Sequence, residues 1–260
     1  MKPGGRTPRV EIIDRPIRRL ACLADVHANI AALEAIFDSE LFASVDAVAF
    51  LGCLTTGPEP LEVLELSKSA GKPAYFLAGN GERAVVDLAD GHQDDEWIAG
   101  EWILEHHGPA VETIRSWPGS LVADVEGLGQ VRLCHGSPRS DNELLTPPTT
   151  PDHVEEATRG VAERTVVHGH THLQYERRVR DLLIVGPGSV GLPYTADGLA
   201  SYWAVLGPDV ELARTPYELE YAKTRIAATG YPDARYVASL EHPRSPEEMM
   251  RQAQDTRFSD

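Results

Sequence analysis

No apolar run in this chain approaches the roughly 20 residues that a helix needs to cross a bilayer, so a membrane-spanning helix is not expected. The stretch Met1 to Arg19 holds proline, glycine and scattered charge but no apolar middle, which argues against a signal peptide. Cysteine is scarce: Cys22, Cys53 and Cys134 are too few, and odd in number, for a disulfide framework, and that suits a reducing compartment. The cytoplasm is the expected location. Basic residues are also in short supply, with 24 Lys and Arg against 40 Asp and Glu for a net charge of -16. Such a surface repels nucleic acid, although a bound dication would still draw a small phosphate into a local pocket. Self-association is left open. Neither an internal repeat nor a low-complexity tract is present.

What remains is ordinary globular material. A chain of 260 residues, 42% hydrophobic and 25% charged, buries a sizeable core as one large domain or a domain with a small addition. After an exposed leader, Leu20 to Ala24 is a short apolar run ending at Asp25, followed by Ile30, Leu33 and Phe37 at helical spacing. The pattern returns in Ala47 to Leu51, the loop Gly52 to Pro58 and a helix through Leu61 and Leu64, with Pro58 as its start signal and Gly71 as its stop. A third round runs from Ala74 to Leu77, through Gly79 and Asn80, into a helix beginning near Glu82. Three β-loop-α units predict a layered α/β fold with a largely parallel core, whose ligands gather at the carboxyl ends of the strands.

From about 91 to 118 two helical patterns, Trp97, Ile98, Trp102, Ile103 and then Val111, Ile114, predict a small helical cap over those strand ends. Leu121 to Val125 and Val131 to Cys134 flank a glycine-bearing turn and read as a hairpin delivering His135. A polar loop from Ser137 to Asp152 precedes a helix over Val154 to Ala162. Strand-like segments follow at Thr165 to Val167, Tyr175 to Val179, Leu182 to Val185, Ala200 to Leu206 and Val210 to Ala213. Leu219, Ala222 and Ile226 mark a helix, and a polar tail from about His242 is expected to be loosely held.

The chemistry-bearing residues stand just past the apolar runs. His170 and His172, spaced i and i+2 beyond a strand, can both reach one cation, and Asp25, His27, Asn80 and His135 each follow their own apolar segment. Imidazole mixed with carboxylate and amide oxygen suits Mn, Fe, Zn or Ni. His168 is read as packing beside its strand end and His106 and His107 as lying on the helical cap, all three at the surface or supporting the ligands rather than ligating, with Ser137 and Cys134 as structural and Glu82 as a helix N-terminal carboxylate.

Asp25-x-His27, Gly52-x53, Gly79-Asn80, His135-Gly136 and Gly169-His170-x-His172, in that order, resemble the calcineurin-like metallophosphoesterase superfamily. Asp25 to Asn29, His135 to Pro138, Pro187 to Gly191 and the segment Tyr217 to Gly230 are similar to the small bacterial phosphodiesterases of the YfcE type. The resemblance spans about 19 to 235 and implies a four-layer α/β/β/α sandwich over 19-235. A 1-18 extension would precede it and a 236-260 tail would follow. It implies two divalent ions, one held by Asp25, His27 and His172 and the other by Asn80, His135 and His170, with Asn80 and His135 also in the catalytic set. A hydroxide between the ions would attack a small phosphoester, a phosphodiester or small nucleotide before others. Asn29 and Arg139 are the expected substrate contacts, the latter because its fork matches two phosphate oxygens.

Two positions depart from the family pattern. Where the family has Gly-Asp, with a bridging carboxylate, this chain has Gly52-Cys53; where many members have Gly-Asn-His, it has Gly79-Asn80-Gly81. Cys53 is either a thiolate ligand suited to Zn or Fe, or a small buried residue beside a site with one ion or none. The alternatives to a phosphoesterase are a weakened member that serves as a binding scaffold, as the retromer subunit of this fold does, and a thiolate-ligated centre with different chemistry.

Overall fold

The computed structural model describes residues 9–92 and 99–259. In chain order it contains β1 (Val10–Ile12), β2 (Leu20–Leu23), α1 (Ile30–Phe37), α2 (Glu40–Ala43), β3 (Ala47–Leu51), α3 (Pro60–Lys68), β4 (Ala74–Leu77) and α4 (Asn80–Ala89). Then come α5 (Gly100–His107), α6 (Ala110–Arg115), β5 (Ser120–Val125), β6 (Gly129–Cys134), α7 (Pro151–Ala157), β7 (Thr165–His168), β8 (Gln174–Val179) and β9 (Leu182–Pro187). The chain closes with β10 (Ser201–Leu206), β11 (Val210–Thr215), α8 (Leu219–Thr229), α9 (Ala234–Glu241) and α10 (Pro246–Asp255).

Two mixed sheets face each other, a five-stranded one in the order β11-β10-β2-β3-β4 and a six-stranded one in the order β1-β5-β6-β7-β9-β8. Side chains alternate across a strand, and here the alternation sorts them into layers. Leu20 and Cys22 of β2 and Ala47, Ala49 and Leu51 of β3 meet Leu133, Val167 and Val185 between the sheets. Ala21, Leu23, Val48 and Phe50, pointing the other way, pack beneath Leu33 and Ile36 of α1 and Val63 and Leu64 of α3. On the far face of the other sheet, Cys134, Val166 and Ile184 pack against Val154 of α7. The result is the expected four-layer α/β/β/α sandwich. Small residues on the inner face of β2 and β3 let the two sheets approach closely.

The parallel core is confined to β2-β3-β4 and β6-β7-β9, while β10, β11 and β8 run antiparallel to their neighbours. The expected leader supplies β1, which is exposed but pairs in parallel with β5, and it sends Ile13 and Ile17 into the core. The helix after β3 starts at Pro60 rather than Pro58, because Gly57 is pressed onto the chain at His27, whose carbonyl oxygen lies 2.0 Å from where a Cβ would stand. Helix α7, by contrast, begins earlier than its apolar pattern and ends at Ala157 rather than Ala162: Thr150 accepts from the His153 amide and Pro151 takes the first turn.

In the region expected to form a cap, α5 and α6 are present, with Ile103, Val111 and Ile114 buried against Val85 of α4. Trp97 and Ile98 lie outside the described residues. The tail expected to be loose is not: α10 has a capping box at Ser245 and Glu248, and it buries Met249 against Leu144 and Leu173. Beyond it the Arg257 carbonyl accepts from the Leu144 amide and the Ser259 amide donates to Asn142. The tail's polar composition concealed one apolar anchor and a set of backbone hydrogen bonds. Among the described residues, no helix is long and apolar enough to cross a membrane.

Candidate metal centre

The chain bends sharply at the strand ends. Asp25, His27, Cys53, His170 and His172 all hold left-handed backbone, with φ of 55, 50, 48, 67 and 56°. A residue bearing a Cβ adopts this region at a cost of about 1–2 kcal/mol, and such strain collects where function requires it. Backbone pairing beyond β2 and β3 enforces the bends: the Asp25 amide donates to Gly52, His27 to Cys53 and Ala28 to Leu54. From below, the Ser189 hydroxyl and the Gly191 amide both donate to the Asp25 carbonyl, at 2.8 and 3.0 Å. Gly191 is required there, since a Cβ would stand 2.0 Å from the Val26 carbonyl oxygen.

Glu82 has a larger role than a helix N-terminal charge. Its buried carboxylate accepts from the amides of Cys53, Gly79 and Leu54 at 2.8 to 2.9 Å and from Thr55 at 3.3 Å. It ties the loop carrying Cys53 to the loop carrying Asn80. His107, expected on the helical cap in a surface or supporting role, braces the same loop from α5 through Thr55.

Three imidazoles are locked in one tautomer. Nδ1 of His27, His135 and His172 faces the carbonyl oxygens of Thr56, Leu51 and Leu192, at 3.2, 2.7 and 2.5 Å. A carbonyl only accepts, so each Nδ1 must donate, and in the neutral ring each Nε2 keeps its lone pair. These lone pairs converge. His27 Nε2 and His172 Nε2 are 3.2 Å apart, and Asp25 Oδ1 stands 3.9, 3.4 and 3.8 Å from Nε2 of His27, His172 and His135. Asp25 Oδ1 is buried without a hydrogen-bond partner, while Oδ2 accepts from the His170 amide at 2.8 Å. His135 Nε2 in turn lies 2.8 Å from Asn80 Oδ1.

Acceptors thus face acceptors around one buried carboxylate, an arrangement that demands protons or cations. Burial opposes the Asp25 charge, yet His172 and His135 outweigh it and hold the carboxyl below the usual carboxylate range. Burial likewise opposes protonation of His172, but the Asp25 carboxylate raises its pKa above the ordinary value. Burial and the neighbouring His172 push His27 down to about 4. The donor set fits a divalent transition ion: fixed imidazole Nε2 atoms, each oriented by a backbone carbonyl, and one unsatisfied carboxylate oxygen.

Cys53 enters the same space. Its sulfur lies 3.3 Å from Asn80 Oδ1 and 3.3 Å from His135 Nε2, and with Asp25 and His27 it forms a trio whose donor atoms all lie within 4.8 Å of one another. Burial, then the charges of Glu82 and Asp25, push its pKa well above the ordinary value, so the metal-free residue is a thiol. His170 stands at the margin. Its ring centroid is 5.0 Å from that of His135, but its Nε2 meets the Ser259 hydroxyl at 2.7 Å.

The two expected substrate contacts are engaged elsewhere. Asn29 caps α1 through the Ala32 amide and donates to Gly191 and Tyr217, which leaves it buried. Arg139 pairs with Glu143 and Glu156, so its fork is taken. His168 is a core residue bonded to Tyr175, as expected, and His106 stacks on Trp102. Sequence reasoning missed the roles of Ser189, Tyr236, whose hydroxyl donates to the His27 carbonyl, and Ser259. Ser189 lies in the Pro187 to Gly191 segment that the resemblance singled out, whereas Tyr236 and Ser259 carry no local signal, since each acts on a segment distant in the chain.

No curated protein is significantly similar to the chain. Among solved structures, a hypothetical protein from Pyrococcus horikoshii OT3 superposes with a TM-score of 0.73 at 20% identity, over 85% of this chain and 97% of that one. A metallophosphoesterase from Sphaerobacter thermophilus does so with a TM-score of 0.67 at 23% identity, over 86% and 98%. Both share the fold. The family description "Calcineurin-like phosphoesterase superfamily domain" matches residues 19–206, the span that holds both sheets' central strands and every convergent donor, and the chain belongs to that superfamily.

Proposed function

We propose that the protein is a metal-dependent phosphoesterase acting on a phosphodiester or a small nucleotide at a two-ion centre. The observation that carries this reading is the pocket of mutually facing acceptors around Asp25 Oδ1, a donor set that divalent cations would satisfy. Asp25, His27 and His172 would hold one ion, and Asn80 and His135, with Cys53 and His170 beside them, the other. Bound ions would supply Lewis acidity toward the phosphoryl oxygens and toward an attacking water. The chain's own part is to fix the donors, through the carbonyls of Thr56, Leu51 and Leu192 and the carboxylate of Glu82. Asn80 and His135 then present the phosphoryl group.

Gly81 narrows the substrate class. A Cβ at this position would stand 2.5 Å from Thr56 Oγ1 and 2.9 Å from Cys53 Sγ, so the space of a proton-donating side chain is filled. Loss of a general acid costs roughly 10²- to 10⁴-fold where the leaving group needs a proton and little where it does not. Aryl phosphodiesters should therefore outrun alkyl phosphomonoesters. The deciding experiment is elemental analysis with nitrophenyl diester hydrolysis after loading with Mn, Fe, Zn or Ni. Alkyl monoesters cleaved as fast as the aryl diester would sink the substrate assignment, and absence of any bound metal would sink the reading. Cys53 favours a second reading, a thiolate-ligated Zn or Fe centre, which predicts that these two metals bind in preference to Mn.

A further inference from the structure

The C-terminal segment reaches into the metal centre. After α10 the chain lies along residues 142–144: Leu144 donates to Arg257, Glu143 bridges Phe258, and the Ser259 amide donates to Asn142. The Asn142 side chain donates back to the Ser259 carbonyl at 2.8 Å, and Arg257 pairs with Glu156 at 2.7 Å. This network aims one hydroxyl at one imidazole, Ser259 Oγ at His170 Nε2. Of the four clustered histidines, His170 is the one whose Nε2 meets a residue from outside the ring of donors.

We propose that Ser259 is an internal occupant of the second metal position: its hydroxyl, which also reaches the Asn142 carbonyl at 3.4 Å, engages Nε2 of His170, and a second divalent ion binds through that nitrogen only as the segment lifts. This inference rests on the two-ion reading above. The reasoning is competition for one atom, since an imidazole nitrogen engaged in a hydrogen bond, whichever partner carries the proton, cannot at the same time coordinate a cation. Linkage makes the effect reciprocal: if the docked segment weakens the second ion, the second ion must loosen the segment by the same factor.

Titration calorimetry with Mn on the full chain tests the first half. The wild type should bind one ion tightly and a second weakly, and Ser259→Ala should tighten only the second step, by about fivefold, the worth of one hydrogen bond. Asn142→Ala, which frees the Ser259 carbonyl, should shift it in the same direction. Cleavage by trypsin after Arg257 tests the second half: Mn saturation should speed it about fivefold in the wild type. In the metal-free protein, His170→Ala alone should speed it, a readout that needs no ion. Two binding steps unchanged by Ser259→Ala overturn the proposal and leave the two-ion reading standing. A single step in every variant overturns the two-ion reading and the proposal with it. Metal-free cleavage at equal rates in wild type and His170→Ala shows that the contact holds nothing, and that also overturns the proposal.

Discussion

The two sides of the metal centre are built differently. On one side, His27 and His172 are pinned by the carbonyls of Thr56 and Leu192, and their free nitrogens face each other and Asp25 with no donor between them. On the other, Asn80 and His135 meet each other and the Cys53 sulfur, and His170 meets Ser259. The first side is unsatisfied without a cation, whereas on the second the Cys53 thiol and the Ser259 hydroxyl stand within hydrogen-bond reach of the donors, even though Asn80 Oδ1 and His135 Nε2 still face each other as acceptors. The difference teaches that a donor set is read from its unmet valences as well as from its residue types: the second side carries the Cys53 thiol and internal partners in place of a further carboxylate.

The largest expected effect lies on the first side. Asp25→Asn removes the only carboxylate among the convergent donors, and affinity for the tighter ion should fall by more than about 100-fold, beyond the usual cost of losing a mere orienting partner. Calorimetry with Mn checks it, and an unchanged tight step would erase the contrast between the two sides. Next comes Glu82→Gln, which weakens the carboxylate tie between the Cys53 and Asn80 loops. Loss of the charged acceptor should cost about 2–3 kcal/mol of stability, measured by urea unfolding, with the second ion weakened more than the first. Equal weakening of both would mean that Glu82 supports the fold without favouring either side.

Cys53→Asp should change the second side by less, raising Mn affinity there roughly tenfold, or ~1.4 kcal/mol, because a hard oxygen and a negative charge enter between the positions. If Cys53 instead serves Zn or Fe as a thiolate, the same change lowers the content of those metals and leaves diester hydrolysis flat or reduced. A pH dependence of the metal-free protein lies outside both sides of the centre. Burial pushes His168 down to about 4, below its unfolded value near 6.5, so the unfolded chain takes up a proton that the folded one refuses. The stability due to neutral His168 is complete above about pH 6.5 and is lost as pH falls toward 4, by roughly 3 kcal/mol over the whole range. His168→Asn should flatten part of that slope in unfolding titrations at pH 7 and 5. An unaltered slope would assign it wholly to His27 and its neighbours.

The fold was legible because its signals are local. Ala47 to Leu51 reads as a strand from five residues, and the parity of Val48 and Phe50 against Ala47, Ala49 and Leu51 already separates the helix-facing from the sheet-facing side. The donors were legible as types placed after strands. Their left-handed bends were not, since nothing in Asp25-Val26-His27 announces a φ of 55° and 50°; that conformation is imposed by pairing with Gly52 and Cys53.

By itself, then, the sequence determined an α/β layered class, most of the strands and helices between residues 20 and 226, and which side chains could ligate, because periodicity and residue chemistry act over a few positions; β1 and α10 were not legible in it. Tertiary structure alone decided which donors are free. Arg139 spends its fork on Glu143 and Glu156, Asn29 caps α1, Glu82 binds four amides, and His170 meets Ser259 across 89 positions of chain. The physical reason is that a hydrogen-bonding group takes whichever partner the folded chain brings within about 3 Å, and that partner is set by how distant segments pack rather than by the residues beside it.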